Sequence, residues 1–354
     1  MSATAGGPAA APHSPAMSHG GARTMGLGHT VLDFSTSINP LGMHPAVRRR
    51  ILESADDAVD YPDARSRTLE EAAAAYVGVP AGMVVAGNGA TELIHNICRH
   101  VAGRTVVVPS PGFGEYAAAA ALCGSAVSSY PAYPNGLPRS IPPNGCVFVC
   151  NPSNPAGILL GRRHILEAAS AAADADSILV VDECFTEMTP GRDESVAPHT
   201  RRHGNMVVLR SLTKSFGLAG LRVGYCIADP AISAELRRIR MPWSVNALAQ
   251  ATGIEALAHP EHLEAARHMI RREVGRLHDT MEGMPGISPR RTDANYLVAR
   301  TEAPAPDVVG RLLGLNVLVR DCSSFGMGHH IRISARTPDK NKILLEALGR
   351  SCRA

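Results

Sequence analysis

Aromatic residues are scarce in this chain of 354 residues: they make up 4%, with a single tryptophan. That leaves few platforms on which nucleic-acid bases could stack. Neither sign of charge is in excess. The formal net charge is +3 and the arginines are spread along the chain, so no basic footprint for nucleic acid is expected. No apolar run approaches the roughly 18 residues of a membrane span, and no membrane partner is expected. The eight cysteines contain no Cys-x-x-Cys pattern; Cys184 and Cys226 lie in apolar stretches and read as buried thiols of a reducing cytoplasm. Neighbouring His329 and His330 would face opposite ways on a strand, and His259-x-x-His262 is no stronger a signal, so no metal centre is expected.

Aliphatic residues are also nearly missing from residues 1–25, which read as a disordered-type tail. Without a basic n-region and an apolar h-region, the tail is not a secretory signal. The remaining composition, 45% hydrophobic and 19% charged, is that of a globular chain with ample material for a core.

What the chain does have is a set of apolar strands that end in chemically useful residues. Met206-Val-Val-Leu209 reads as a buried strand and leads into Ser211-Leu-Thr-Lys-Ser-Phe-Gly-Leu-Ala-Gly-Leu-Arg-Val-Gly224. A lysine just past a buried strand end is desolvated, which lowers its pKa and makes its amine nucleophilic. Ser211, Thr213 and Arg222 supply two hydroxyls and a guanidinium fork for a phosphate. Lysine plus phosphate clamp suits a covalently held pyridoxal phosphate (PLP); a basic surface loop is the plainer alternative.

Ile178-Leu-Val-Val-Asp182 is a second such strand, and its terminal carboxylate can keep a pyridine nitrogen protonated. Val147-Phe-Val-Cys-Asn151-Pro-Ser-Asn154-Pro is a third, with prolines stiffening the loop that presents Asn154. Gly87-Asn-Gly89-Ala90 turns from a short strand into a helix whose N-terminus offers free N–H groups to an anion. Tyr116 stands where its ring could stack on a cofactor, or else it is a core tyrosine.

Strands alternate with helices throughout, which implies a mainly parallel sheet covered on both faces, with ligand groups at the carboxyl ends of its strands. Thr68 and Glu71 suggest a capping box opening a helix over 68–77, and residues 247–284 read as one long helical stretch. The expected organisation is a tail (1–25), an arm opening a small domain (26–55), a large domain (56–245), a long helical connection (246–285) and a small C-terminal αβ domain (286–354).

Three strand ends carrying Asn154, Asp182 and Lys214 in that order resemble the fold-type I, aspartate-aminotransferase-like PLP enzymes. The segments Asp33-Phe-Ser-Thr-Ser-Ile-Asn39-Pro-Leu-Gly42, Tyr61-Pro-Asp63, Gly87-Asn-Gly89 and Asn151-Pro-Ser-Asn-Pro155 narrow this to one branch. It holds histidinol-phosphate aminotransferases and threonine-phosphate decarboxylases. His19-Gly-Gly21, Met241-Pro-Trp-Ser-Val-Asn246 and Phe185 resemble the decarboxylases, the last in place of an aminotransferase tyrosine. Lys214-Ser-Phe-Gly-Leu-Ala219 is closer to the aminotransferases.

The resemblance implies an α/β fold with a large mainly parallel sheet domain and a smaller αβ domain. It implies PLP carried by Lys214, with Asp182 on the pyridine nitrogen, Asn154 on the 3-oxygen and Tyr116 against the ring. Gly89, Ala90, Ser211, Thr213 and Arg222 would hold the phosphate, joined by Tyr61 from the second subunit of a homodimer. Asn39, Arg320 and Arg332 would bind a phosphorylated amino acid, Arg332 taking its carboxylate and Arg320 its phosphate. The implied reaction is decarboxylation of L-threonine O-3-phosphate to (R)-1-amino-2-propanol phosphate. The alternatives are transamination of histidinol phosphate or a related phosphorylated or phosphonate amino acid, and a PLP-binding regulator without catalysis.

Overall fold

A computed structural model describes residues 20–28, 30–132 and 136–351. The chain runs through β1 (Leu32–Asp33), α1 (Pro45–Glu53), α2 (Arg67–Val77), β2 (Val84–Gly87), α3 (Gly89–His100) and β3 (Thr105–Ser110). It continues with α4 (Glu115–Leu122), β4 (Ala126–Pro131), β5 (Cys146–Cys150), α5 (Arg162–Asp174), β6 (Ile178–Asp182) and β7 (Met206–Ser211). Next come α6 (Leu212–Ser215), β8 (Gly224–Ile227), α7 (Pro230–Ile239), α8 (Ala247–Leu257) and α9 (Glu261–Glu282). The last part holds β9 (Ile287–Pro289), β10 (Tyr296–Thr301), α10 (Ala305–Leu313), β11 (Val317–Leu318), β12 (Arg320–Asp321), β13 (His330–Ser334) and α11 (Pro338–Ser351).

A seven-stranded sheet in the order β2-β8-β7-β6-β5-β3-β4 forms the large layer. Only β8 runs against its neighbours. The fully apolar strands β5 and β6 are buried along their whole length, as a parallel sheet with helices on both faces demands. Their period-two alternation divides them between two cores. Val147, Val149, Leu179, Val181 and Val208 face the side of α2, α5 and α8, whereas Phe148, Val180, Val207 and Leu209 face α3 and α4. β4, at the edge, carries serines and is exposed over most of its length.

The small layer is an antiparallel sheet in the order β12-β13-β10-β9, packed on α9, α10 and α11 around Ile270, Leu277, Tyr296, Leu312 and Ile333. The N-terminal arm joins it. β1 pairs with β11 in parallel, and Phe34 inserts into that core while its carbonyl accepts from Ser334 N at 2.9 Å.

The structure departs from the sequence pattern in three places. The stretch over 247–284 is two helices: Pro260 has no N–H to give and bars its predecessor from the α-region, so α8 stops and α9 starts afresh. The Thr68–Glu71 capping box does not form, because α2 begins earlier, behind Ser66 in a left-handed conformation (φ 52°). Its first amides are capped from a distance by Asp63, which accepts from Arg65 N at 3.0 Å and Arg67 N at 2.9 Å; these bonds hold the Asp63 carboxyl below its ordinary range. Residues 20–25, grouped with the tail by composition, fold back onto the arm: Gly21 N donates to Ser35 Oγ at 2.8 Å and Ala22 N to Asp33 Oδ2 at 3.0 Å. Residues 1–19 of the tail, including His19, lie outside the described residues.

Glu70, left out of the cap, serves the core. It accepts from Ala86 N at 3.1 Å, from Arg240 Nη1 at 3.0 Å and from Arg237 Nε at 3.1 Å, joining α2, β2 and α7. Removing it strands the buried Arg240 guanidinium. Glu70→Ala should cost about 3–5 kcal/mol. By contrast, loss of Glu167 from its exposed pair with Arg163 should cost about 0–1 kcal/mol. Urea midpoints of the two variants beside the parent protein check this.

Candidate active site

Register brings the reactive strand ends together. Cys150 on β5 is level with Asp182 on β6, and Asp182 is level with Leu209 on β7. The residues just past this line, Asn154 and Lys214, therefore leave the sheet at the same edge as Asp182.

Asp182 is buried and fixed at both oxygens. Oδ1 accepts from Cys184 N at 2.9 Å, and Oδ2 accepts from the Tyr116 hydroxyl. This revises the expectation for Tyr116. Its ring is fully enclosed and stacked on Phe148 at 4.8 Å, so it offers no open face to a ligand and instead orients the carboxylate. Phe113, half-buried and edge-on to Tyr116 at 5.5 Å, is the aromatic residue left nearer the surface.

Lys214 lies in the single turn α6, whose first amide is capped by Ser211: Thr213 N donates to Ser211 Oγ at 3.2 Å. Burial, then the charge of Arg332, lowers the Lys214 pKa to about 8. Asn39 holds this turn in place. Its backbone N donates to Lys214 O at 2.9 Å, its Nδ2 to Ser215 O at 2.8 Å, and its Oδ1 accepts from Leu41 N at 2.9 Å. With both ends of its side-chain amide hydrogen-bonded, the buried Asn39 acts as a brace for the lysine turn. The brace needs close approach. A Cβ on Gly217, whose φ is +73°, would sit 2.8 Å from the Gly42 carbonyl carbon.

The anion cradle lies where β2 turns into α3. Gly89 has φ +74°, and a Cβ there would come within 2.6 Å of Arg222 Nη2. Arg222 itself is left-handed (φ 59°); its Nη1 donates to Ala219 O at 3.2 Å and to Thr213 Oγ1 at 3.4 Å. Gly224, on β8, is equally tight, with an added Cβ 3.1 Å from Ala90 N. Gly89, Ala90, Thr213 and Arg222 thus surround one helix N-terminus, which suits a phosphate. Tyr61 is not part of this cradle within the chain. It is 85% exposed, with its ring 5.2 Å from the exposed Trp243.

Arg332 on β13 brings the small domain to the site. Nη1 donates to Asn154 Oδ1 and Nη2 to Ser35 O at 3.0 Å, while Nε is buried with no partner. Directly across the ladder stands Arg320, whose Nη2 donates to Ser324 Oγ at 2.8 Å. Burial and the Arg332 charge push the Arg320 pKa down. Sequence reasoning missed Arg336, which donates to Asp33 O at 2.7 Å, Thr36 O at 2.7 Å and Ile38 O at 3.1 Å, and so shapes the arm beneath Arg332. It also missed Ser35, whose contribution is a backbone carbonyl.

The donor set fits PLP. It offers a depressed amine, a carboxylate held by Tyr116 and a backbone amide, and a glycine-lined anion cradle that any Cβ would fill. The charge of Arg332 also acts on Lys214, and Arg320 is level with Arg332 across the ladder.

The profile of the family described as aminotransferase class I and II matches residues 29–348. Threonine-phosphate decarboxylase of Salmonella typhimurium is 34% identical over 329 residues, covering 90% of this chain and 90% of that protein. Histidinol-phosphate aminotransferase of Symbiobacterium thermophilum is 32% identical over 334 residues, covering 92% and 91%. The solved structure of L-threonine-O-3-phosphate decarboxylase from Porphyromonas gingivalis superposes with a TM-score of 0.84 at 24% identity, over 91% of this chain and 99% of that one. Histidinol-phosphate aminotransferase from Sinorhizobium meliloti, solved with pyridoxal-5'-phosphate, gives 0.83 at 23% identity, over 94% and 93%. With this match along nearly its whole length, the chain belongs to the class I and II aminotransferase family, as a PLP-dependent enzyme with the aspartate-aminotransferase-like fold.

Proposed function

We propose that this enzyme decarboxylates a phosphorylated amino acid, with L-threonine O-3-phosphate as substrate and (R)-1-amino-2-propanol phosphate as product. The observation that carries the reading is the pair Arg332 and Arg320, level with each other across β13 and β12. Threonine phosphate has two anionic ends, and two adjacent guanidinium groups match them. The unpaired Nε of Arg332 leaves it a donor for a carboxylate, while Arg320 takes the phosphate. Histidinol phosphate has only its phosphate and would leave one guanidinium unmatched.

PLP supplies an electron sink that accepts the pair left at Cα when a bond there breaks. Asp182, with both oxygens fixed, would hold the pyridine nitrogen, Asn154 the 3-oxygen, and Gly89, Ala90, Ser211, Thr213 and Arg222 the phosphate. Lys214 would bind the cofactor and, once released and protonated, would supply the proton that Cα takes up when CO₂ has left. Its pKa of about 8 lets it hold or release that proton near neutral pH. Phe185, buried edge-on to Tyr296 at 5.1 Å, brings no hydroxyl to the ring's oxygen side, which favours the decarboxylase reading.

Transamination remains the second reading, supported by the histidinol-phosphate aminotransferase relatives and by the Lys214–Ala219 segment. The exposed Tyr61–Trp243 pair supports a two-fold homodimer in which Tyr61 completes the partner's phosphate cradle. Free cysteines, buried apart from Cys123 among the described residues, support a cytoplasmic setting.

The lysine assignment predicts a pH profile. Its folded pKa lies below the ordinary value of about 10.5, so the reactive neutral amine appears as pH rises through about 8. Covalent capture of PLP by the apoenzyme, trapped with borohydride, should accelerate up to about pH 8 and level off above it. A rise continuing to pH 10 contradicts the assignment, and Lys214→Ala should capture nothing.

The reaction assignment predicts where a carboxyl label goes. Carboxyl-labelled threonine phosphate, given to the holoenzyme without any keto acid, should release its label as CO₂ and leave a phosphorylated amino alcohol. Arg320→Ala should lower kcat/KM by about 10–100-fold, equivalent to one or two charge-assisted hydrogen bonds. Label retained in a keto acid instead establishes the aminotransferase reading.

A further inference from the structure

At the break between α8 and α9, three histidines and two glutamates from separate parts of the chain converge. His44, the N-cap of α1, stacks on His259 with ring centroids 4.1 Å apart, and His262 lies edge-on to His44 at 5.4 Å. The ligand atoms of His44, His259 and Glu261 all lie within 4.8 Å of one another. His259 is held on both sides. Nδ1 meets Glu261 Oε1 at 2.8 Å, and Nε2 meets Glu255 Oε1 at 3.0 Å.

We propose that this cluster is a site for a divalent transition-metal ion of the Zn²⁺ type, bound by His44, His259 Nδ1 and Glu261, with water completing the shell. Two imidazoles and one carboxylate are the donors such ions prefer, and too few oxygens for Ca²⁺ or Mg²⁺. The ion takes the place of the proton shared between His259 Nδ1 and Glu261. Glu255 already sits on the opposite ring nitrogen, the arrangement by which a carboxylate fixes the orientation and raises the basicity of a ligating histidine. His44 and His259 are partly buried and Glu261 is exposed, so the two stacked rings have room to turn their ring planes toward one ion, His44 through the nitrogen that does not cap α1, with bonds of about 2.0–2.2 Å.

The place matters for the rest of the molecule. His262 Nε2 donates to Gly42 O at 2.9 Å, and Gly42 packs on Gly217 in the loop that follows Lys214. An ion here ties the N-terminus of α1 and the first turn of α9 to the arm that braces the lysine turn. From spacing, His259-x-x-His262 is no stronger a signal than His329-His330; the third histidine, His44, lies more than 200 positions away.

The test is equilibrium dialysis of the full-length holoenzyme against Zn²⁺, repeated with His44→Asn, which preserves a helix-capping side chain, and His259→Gln. One equivalent per chain is expected, lost or weakened at least 10-fold in both variants. Glu255→Gln should weaken it roughly 10–100-fold. It also supplies the reading if a histidine variant fails to fold. Co²⁺ in the same site should show visible bands without the near-ultraviolet charge transfer of a thiolate ligand. Absence of Zn²⁺ binding, equal binding in all variants, or a thiolate band overturns the proposal. Equal binding in the variants would assign the metal to histidines elsewhere, such as His13 or His19 in the tail.

Discussion

Arg332 is the point through which the two domains and the arm meet. It is rooted in β13 of the small sheet, yet its guanidinium reaches Asn154 in the loop after β5 of the large sheet and the Ser35 carbonyl in the arm. A charged group this buried is stable only while its hydrogen bonds are made, and breaking them exposes the full desolvation cost. Arg332 thus ties small domain, large domain and arm together, beside the Tyr296 hydroxyl on Ser153 O at 2.8 Å and Asn295 Nδ2 on Ser37 O at 3.0 Å. Its remaining Nε, buried without a partner, is tolerable in a site built to receive an anion.

Burial does most to favour the neutral amine of Lys214, and Arg332, Arg222 and Arg336 act on it in the same direction. On the proposed reaction, a substrate with two negative ends would offset part of that field, so that the lysine would take up a proton more readily with substrate bound than in the empty site. The buried cluster of Arg210, Glu183 and Glu187 shows the opposite arrangement close by. There the guanidinium has carboxylate partners within the protein, Glu183 at 2.8 Å and Glu187 closer still, and no claim on a ligand.

How far the sequence disclosed this depends on the kind of interaction. The places of Asp182 and Lys214 in the fold were legible because the first ends a continuous apolar run and the second follows one, and an apolar run has a direction and an end. The two sheets and the order of their elements were legible for the same reason. Tyr116 was visible as an aromatic near the site, but whether it offers a face or a hydroxyl depends on Phe148 and Asp182, which lie on other strands. Asn39 entered only through the family resemblance. Its Nδ2 donates to the Ser215 carbonyl, more than 170 positions away, and nothing local encodes that. Arg336 gave no signal at all, since its partners are carbonyl oxygens, which every residue has.

The two misread helix ends show competition between local rules. Thr68 and Glu71 satisfy the capping pattern, but Asp63 takes the amide of Arg67 from the preceding loop and the helix starts sooner, at Arg67. Glu70 is then free to turn inward, where it anchors two arginines of the chain after β8. At Pro260 the periodic pattern over 247–284 and the breaking residue pointed different ways, and backbone sterics won because no side-chain packing restores a missing N–H. That break leaves His259 between the two helices and starts α9 at Glu261, so that the His259 ring meets Glu261 on one side and stacks on His44 at the head of α1, while His262 one turn on donates to the Gly42 carbonyl of the arm.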